Sequence, residues 1–230
     1  MKSSEYLSTL EKGLRVLTCF SREQPQMSLT EVARATDLSP AVARRCLITL
    51  NELGYVGKDG NQYLLKPRVL EISTAFTESF NIDNIVRPAL QTLREETGDS
   101  ASLATLQGSD VLYICHASAY RVIRLQATTG TRFPALVTSL GRAILSAKTP
   151  GEIDAHIYKH PVTKRTDKTI TDSTALKAEI TKAQVNGYAV VSDELDYGIT
   201  SIACPVVLSG GRVVGAVNCS AATGRVDPAT

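Results

Sequence analysis

Two helix starts stand one short helix apart near the N-terminus, and together they constrain the fold more than any other feature of the chain. Ser28-Leu29-Thr30-Glu31 is a capping box, in which the Ser28 hydroxyl accepts the Glu31 amide while the Glu31 carboxylate reaches back. The helix it opens carries Val32, Ala33 and Ala35 and ends near Asp37-Leu38. Ser39-Pro40 follows at once, an N-cap residue and then a proline suited to the first helical position. A second helix then runs to Leu53, with Gly54 as its stop. Upstream, residues 9–20 place Leu10, Leu14, Val16, Leu17 and Phe20 largely on one helical face. A break containing Pro25 separates that helix from the capping box. Downstream, Asp59-Gly60 sits between two strand-like runs, Tyr55–Lys58 and Asn61–Leu65, which predicts a hairpin. Two helices joined by a tight turn and followed by a hairpin make a winged helix-turn-helix.

In that arrangement the helix after Ser39 is the element that enters a DNA groove. Ala43, Cys46, Leu47, Leu50 and Leu53 recur at helical spacing and are expected in the core. Ala41, Arg44, Arg45 and Ile48 then point outward, with Thr49 at the border. Arg44 and Arg45 are the candidates for phosphates or guanine edges, and Ser39, Pro40, Ala41 and Val42 form the close-approaching N-terminal end. Lys58, near the hairpin tip, suits a backbone or minor-groove contact. The plainer alternative leaves these cations solvated or ion-paired.

Composition is neutral on this point. The chain of 230 residues is long enough for two modest domains, yet its net charge is only +2. Five cysteines (Cys19, Cys46, Cys115, Cys204, Cys219), without a C-x-x-C spacing, suggest neither a disulfide framework nor a zinc site. They read as small buried residues in a reducing compartment. No stretch approaches a membrane span and the first residues carry no apolar signal segment, so the expected location is the cytoplasm.

Residues 67–80, with Val69, Leu70, Ile72 and Phe76, predict a linker helix, and 82–97 a further helix stopped by Gly98. From Ser100 the pattern changes to strands: 101–106 and 111–115 around Gly108-Ser109-Asp110, then 121–127. Helices follow near 138–147, 150–158 and 173–186, and then strands over 188–192, 200–208 and 213–220. The expected fold is α+β: a winged helix-turn-helix over 1–66, a linker helix over 67–80, and a second domain over 81–230 with a mostly antiparallel sheet.

The residues resemble the IclR family of bacterial regulators along nearly the whole chain. The resemblance rests on Leu10-Glu11-Lys12-Gly13-Leu14-Arg15-Val16-Leu17, on Ser28 to Ala33, and on Arg45 through Gly54-Tyr55-Val56. It continues in Thr138 to Leu145, Gly187-Tyr188-Ala189, Asp193-Glu194-Leu195 with Gly198, Ser201 to Val206, and Gly215 to Ser220. Where the family shows a Thr-Val pair and a variable residue before the helix arginine, this chain has Val42-Ala43-Arg44-Arg45, which implies an operator sequence of its own. Arg132-Phe133-Pro134-Ala135, Glu194-Leu195, Asn218-Cys219-Ser220 and Gly224-Arg225-Val226 are similar to the branch that controls protocatechuate and 4-hydroxybenzoate catabolism. The family's pattern runs on to a further C-terminal helix past the position of Thr230. The resemblance implies a GAF-like effector domain, double-stranded operator DNA as partner, a homodimer or homotetramer, and no cofactor or metal.

By the same resemblance the effector site falls on Ser139, Leu140, Asp193, Ser201, Asn218 and Ser220. Ser139 is expected at a helix N-terminus, where amides and the dipole favour a carboxylate. Asn218 and Ser220 share one face of a strand and need partners if buried, from a ligand or from each other. Leu140 and Ile202 are expected to cover a ring or short chain. Asp193 would repel a carboxylate, so it is expected to face a ligand hydroxyl or to orient a neighbouring donor. The implied effector is a small aromatic or α-keto carboxylate. Arg121 and Arg124 are weaker candidates, because strand alternation sets Arg124 opposite the apolar face of Ile123 and Leu125.

The competing reading is a small-molecule-handling enzyme whose N-terminal helices only dimerise. It has little to work with. No G-x-S-x-G, phosphate loop or dinucleotide fingerprint is present. His156 and His160 stand four apart without an H-E-x-x-H and read as surface residues, while Cys115 and His116 are adjacent on a strand and point to opposite faces. A third reading, a DNA-binding protein whose second domain only oligomerises, calls for a dry, filled sheet face.

Overall fold

The computed structural model describes residues 5–120 and 127–226. The chain divides between Phe80 and Asn81 into two compact units.

In the first unit, α1 (Ser8–Leu17), α2 (Leu29–Thr36) and α3 (Pro40–Glu52) pack around Val16, Met27, Val32, Ala43, Leu47 and Val56. The expected capping box opens α2: the Ser28 hydroxyl accepts the Glu31 amide, and the Ser28 amide donates to the Glu31 carboxylate at 2.7 Å. Asp37, in the left-handed region at φ 52°, turns the chain into Ser39 and Pro40. The wing is a hairpin of β2 (Val56–Asp59) and β3 (Gln62–Leu65), with Asp59 paired to Gln62. Its turn is therefore Gly60-Asn61, one residue later than expected, and Gly60 takes the positive φ. The segment before the capping box is not a plain break. Gln26–Ser28 forms β1, which pairs with β3 and completes a three-stranded sheet in the order β1-β3-β2.

Two expectations fail here: Leu53 is exposed instead of in the core, and α1 ends before Phe20; Leu10 and Leu14, on one helical face as expected, are also exposed. With Ile72 of α4 (Leu70–Ser79) they flank an apolar groove of about 720 Å³ bounded by α1, α3 and α4. Helical periodicity marks an apolar face but does not say what the face meets. The linker begins with a 3₁₀ turn over Pro67–Val69 and continues as α4, which buries none of its residues within this unit.

The second unit is a six-stranded sheet with helices on both faces. A π-turn over Ile82–Val86 leads into α5 (Arg87–Thr97), which ends at Gly98 in the left-handed region. The strands are β4 (Ser100–Gln107), β5 (Asp110–Ala117), β6 (Arg132–Pro134), β7 (Ala189–Ser192), β8 (Ile199–Val207) and β9 (Val213–Ala222). Their order is β6-β5-β4-β9-β8-β7, antiparallel throughout. The short β6 was not expected, and the strand expected over 121–127 falls almost wholly outside the described residues, as do Arg121 and Arg124.

One sheet face packs α5 against Ala101, Cys115 and Ala117. The other packs α6 (Ser139–Ser146) and α8 (Ser173–Asn186) against Ala104, Tyr113, Ala203 and Ala216. The remaining helix, α7 (Pro150–Lys159), packs on α8. His156, on α7, is half buried rather than at the surface, and its ring lies 4.8 Å from that of His160. Burial, followed by the His160 and Lys159 charges, holds its pKa below the ordinary range.

The close seat of α6 requires a residue without a side chain. A β-carbon at Gly141 would run into the Ala135 carbonyl, which the backbone cannot move without displacing the helix start. Gly141→Ala is expected to cost roughly 2–4 kcal/mol. Urea unfolding with an unchanged midpoint would show that the helix start relaxes freely.

Candidate functional site

Two sites emerge, one in each unit. On α3, the alternation of burial separates two outward strips. Ala41, Arg44 and Ile48 form one, exposed. Val42, Arg45 and Thr49 form the other and border the apolar groove beside Thr9 and Lys12 of α1. Among the described residues neither Arg44 nor Arg45 has an ion-pair partner, so neither is held by the fold in a structural role. The two arginines point along different strips, as neighbours on a helix must. Ser39 is the N-cap of α3 by backbone geometry, but its side chain makes no capping bond, and Pro40 fills the first helical position. Lys58 sits on the wing with its ammonium 5.8 Å from the centre of the Tyr63 ring, a contact that orients the side chain without consuming its charge.

In the second unit a small enclosed cavity of about 20 Å³ lies between the sheet and the start of α6. Ser201, Asn218 and Ser220 line it, as expected, together with Tyr113, Thr138 and Leu195, which were not. Strand register explains the first group: Ser201 is paired with Ser220, and Asn218 is two residues before Ser220 on the same face. Asn218 donates from Nδ2 to Ser220 Oγ at 3.0 Å, but among the described residues its Oδ1 has no partner, although the residue is only 3% exposed. A buried carbonyl oxygen without a donor costs about 1–3 kcal/mol. Burial also pushes the Tyr113 phenol well above its usual range, so it stays a neutral hydroxyl.

Ser139 stands at a helix N-terminus, as expected, and Thr138 is the N-cap of α6, its hydroxyl accepting the Gly141 amide at 3.1 Å. Ser139 is the first helical residue, buried, with its hydroxyl donating to Ser201 Oγ at 2.8 Å. Leu140 does not reach the cavity; it is fully buried in the core between helix and sheet. Ile202 faces away on the other side of β8 and is exposed, so it cannot cover a ligand there. Asp193 is likewise not a lining residue. It adopts φ 58°, and its Oδ1 accepts the Gly198 amide and the Thr223 hydroxyl, both at 2.8 Å. The carboxylate holds the turn that delivers Leu195 and Ile199 to the cavity wall.

Next to Asp193 stands a residue whose role the sequence reading missed. Glu194 forms a two-pronged ion pair with Arg142 of α6, both bonds 2.7 Å, with the side chains 7% and 1% exposed. Arg142 also donates to the Leu136 carbonyl, and Glu194 accepts the Ile170 amide. A buried arginine in an otherwise apolar helix was the available signal, since such a charge demands a partner.

A family model described as the bacterial transcriptional regulator IclR C-terminal region matches residues 74–230, and one for the IclR helix-turn-helix domain matches residues 9–60. The chain belongs to the IclR family of bacterial transcriptional regulators. It is 33% identical to the Pca regulon regulatory protein of Pseudomonas putida over 96% of this chain and 77% of that one. It is 29% identical to the p-hydroxybenzoate hydroxylase transcriptional activator of Acinetobacter baylyi, over 99% and 86% of the two chains. Among solved structures, a candidate transcriptional regulator from Rhodococcus sp. RHA1 superposes with a TM-score of 0.82 at 37% identity, covering 97% of this chain and 90% of that one. An IclR homolog from Microbacterium hydrocarbonoxydans complexed with 4-hydroxybenzoate has a TM-score of 0.83 at 20% identity, covering 95% and 91%, a likeness of fold. The relatives are regulators rather than enzymes, and the protein is a DNA-binding transcriptional regulator of this family.

If Asp193 is a turn residue, its removal lowers stability even without ligand. Asp193→Ala is expected to cost about 2 kcal/mol, and Asp193→Asn less, because Asn tolerates the left-handed region and keeps an acceptor oxygen. Equal melting temperatures for Asp193→Ala and the parent protein, without ligand, would return Asp193 to the list of ligand contacts.

Proposed function

We propose that the protein reads an operator through the winged helix-turn-helix over 1–66 and is switched by a small carboxylate, aromatic or α-keto, bound in the 81–230 domain, with 67–80 as the connecting helix. The single observation that carries the effector reading is Asn218 Oδ1, without a partner among the described residues, on a residue that lines the cavity beside Ser220 and the Ser139–Ser201 pair. A dry core would not keep such a group, whereas a ligand hydroxyl or protonated acid satisfies it. The positive end of α6 at Thr138 favours a carboxylate at the other side of the cavity. The names of the aromatic-acid regulators above make a hydroxylated benzoate the first compound to try.

A cavity of about 20 Å³ admits a water, not a ring. Binding therefore has to move its walls, and a ligand that prefers the opened state shifts the regulator between states by that preference. Asn218→Ala and Ser220→Ala are each expected to weaken binding of 4-hydroxybenzoate, protocatechuate or glyoxylate by about tenfold or more in calorimetry. Parent-like affinity in both variants, or no binding of any of the three acids by the parent protein, would dismiss the pocket or the ligand class.

On the DNA side, Ser39, Pro40, Ala41 and Val42 form the approach end of α3, Arg44 the central reader, Arg45 and Thr49 the flank, and Lys58 the wing contact. Arg44→Ala and Arg45→Ala, singly and together, are expected to weaken operator binding. Each lost phosphate contact should flatten the salt dependence by about one unit of slope. The reading fails if a folded double mutant binds operator like the parent at every salt concentration.

The exposed apolar residues Leu10, Leu14, Leu53 and Ile72 support a homodimer or homotetramer closing over the α1–α3–α4 groove, and pairing two recognition helices gives a near-palindromic site its length. Such a regulator works in the cytoplasm, where the chromosome is. A monomer by light scattering, both free and on DNA, contradicts the oligomer.

A further inference from the structure

The polar side of the effector pocket extends beyond the residues that line it. Ser102 on β4 is paired directly with Asn218 on β9 on one side and with His116 on β5 on the other. Directly paired residues share a face, so His116, Ser102 and Asn218 form one row across three strands. Ser100, Ser220 and Ser201 form a second row beside it. Ser100 has a structural task, accepting the Ala119 amide at 3.0 Å. Ser102 is 2% exposed, and its hydroxyl lies 2.9 Å from His116 Nδ1. A bulge in the β4–β5 ladder at Leu103/Ala104 makes the row continuous with the pocket. It brings Tyr113, a pocket wall, and His116 to the same face although they stand three apart, with ring centres separated by 6.4 Å. So many small polar groups on adjacent strands of a core otherwise built of alanine, valine and leucine are costly unless something pairs with them.

We propose that Ser102 and His116 form the far end of the effector pocket and select a single-ring acid carrying a hydroxyl opposite its carboxylate. This rests on the reading of the pocket as the effector site. Neighbouring strands lie about 4.8 Å apart and a strand rises about 3.4 Å per residue, so Ser201 on β8 and Ser102 on β4, two strands across and two residues along, are separated by roughly 12 Å. A ring laid across β9 with its carboxylate beside Ser139 and Ser201 brings the opposite hydroxyl between Asn218 and Ser102. There the ligand hydroxyl donates to Asn218 Oδ1 and accepts from the Ser102 hydroxyl. Ser102 can donate forward only if His116 Nδ1 carries the proton and donates to Ser102 Oγ, so His116 is a positioning residue that fixes the direction of the Ser102 hydroxyl. A ring without the hydroxyl leaves the Asn218 acceptor and the Ser102 donor unpaired, the situation in which a polar site discriminates most strongly. A two- or three-carbon acid does not reach this end.

The test is calorimetric titration of the full chain with benzoate, 4-hydroxybenzoate and pyruvate. The parent protein is expected to bind 4-hydroxybenzoate at least about tenfold tighter than benzoate, and pyruvate more weakly than 4-hydroxybenzoate. Ser102→Ala and His116→Leu are expected to abolish that preference, weakening 4-hydroxybenzoate by about tenfold relative to benzoate. His116→Asn, whose amide can occupy the Nδ1 position, should restore part of it. A purely structural role for His116 would weaken both ring acids alike and give no selective rescue, which overturns the proposal. So does a parent protein that binds both ring acids equally, or pyruvate best, whether or not the variants fold. A parent protein that binds protocatechuate or glyoxylate but none of these three overturns the proposal alone, whereas one that binds none of the five removes the effector reading itself.

Discussion

Arg142 and Glu194 hold a complete ion pair inside the second unit, and the geometry of the pocket hangs on it. The pair ties α6, whose first residues bound the cavity, to the turn after β7, which supplies Leu195. Taking both charges out of water consumes most of what their attraction returns, so the pair contributes little net stability compared with apolar residues of the same volume. What it supplies is position. Leu136, through its carbonyl, and Ile170, through its amide, take up bonding capacity the two charges leave over. Losing one partner would strand the other, a penalty of about 3–5 kcal/mol. Thr166 and Thr169 reinforce the clamp by donating to the Asp193 and Glu194 carbonyls. The turn is thus gripped through its backbone, through the Glu194 side chain, and through the Asp193 carboxylate.

Much of this fold was legible because its signals are local. Capping boxes, the Ser39-Pro40 start, the glycine stops and the tight turns each act within a few residues, and α2, α3 and α8 appear where those signals place them, with the wing turn one residue later. Leu10, Leu14 and Leu53 show where local pattern ends. They lie on apolar helical faces, yet the sequence carries no mark that separates a face buried in its own unit from one left open. The three-residue strands β1 and β6 are too short to show alternation and exist through pairing with distant partners.

The pocket divides along the same line. Asn218 and Ser220 could be paired from their two-residue spacing, and Ser201 from resemblance. Ser100 and Ser102 carry the same spacing, but their relation to Asn218 depends on register between strands more than a hundred residues apart, and that of His116 depends on a bulge. Asp193 was assigned to the ligand because an acid near a site invites that role. Its left-handed backbone and its two bonds at 2.8 Å instead make it the keystone of a turn. Leu140 failed for a simpler reason: in a helix packed on a sheet, neighbouring residues point in different directions, and only the first turn faces the cavity.

The cavity's own bonding then decides what kind of ligand can gain by entering. The Ser139–Ser201 and Asn218–Ser220 bonds already satisfy most of the polar groups there. A neutral apolar molecule would break or strain these bonds and offer nothing in return, so its burial gain is offset by stranded polar groups. An anion changes the balance, because hydroxyls that now bond each other can turn toward a charged acceptor, and charge-assisted bonds are roughly twice as strong as neutral ones. Asn218 Oδ1, without a partner among the described residues, asks for the opposite, a donor. A molecule that is an anion at one end and a donor at the other repays both, and the enclosure that excludes a bare ring from the closed state is also what makes the open, ligand-filled state a distinct one.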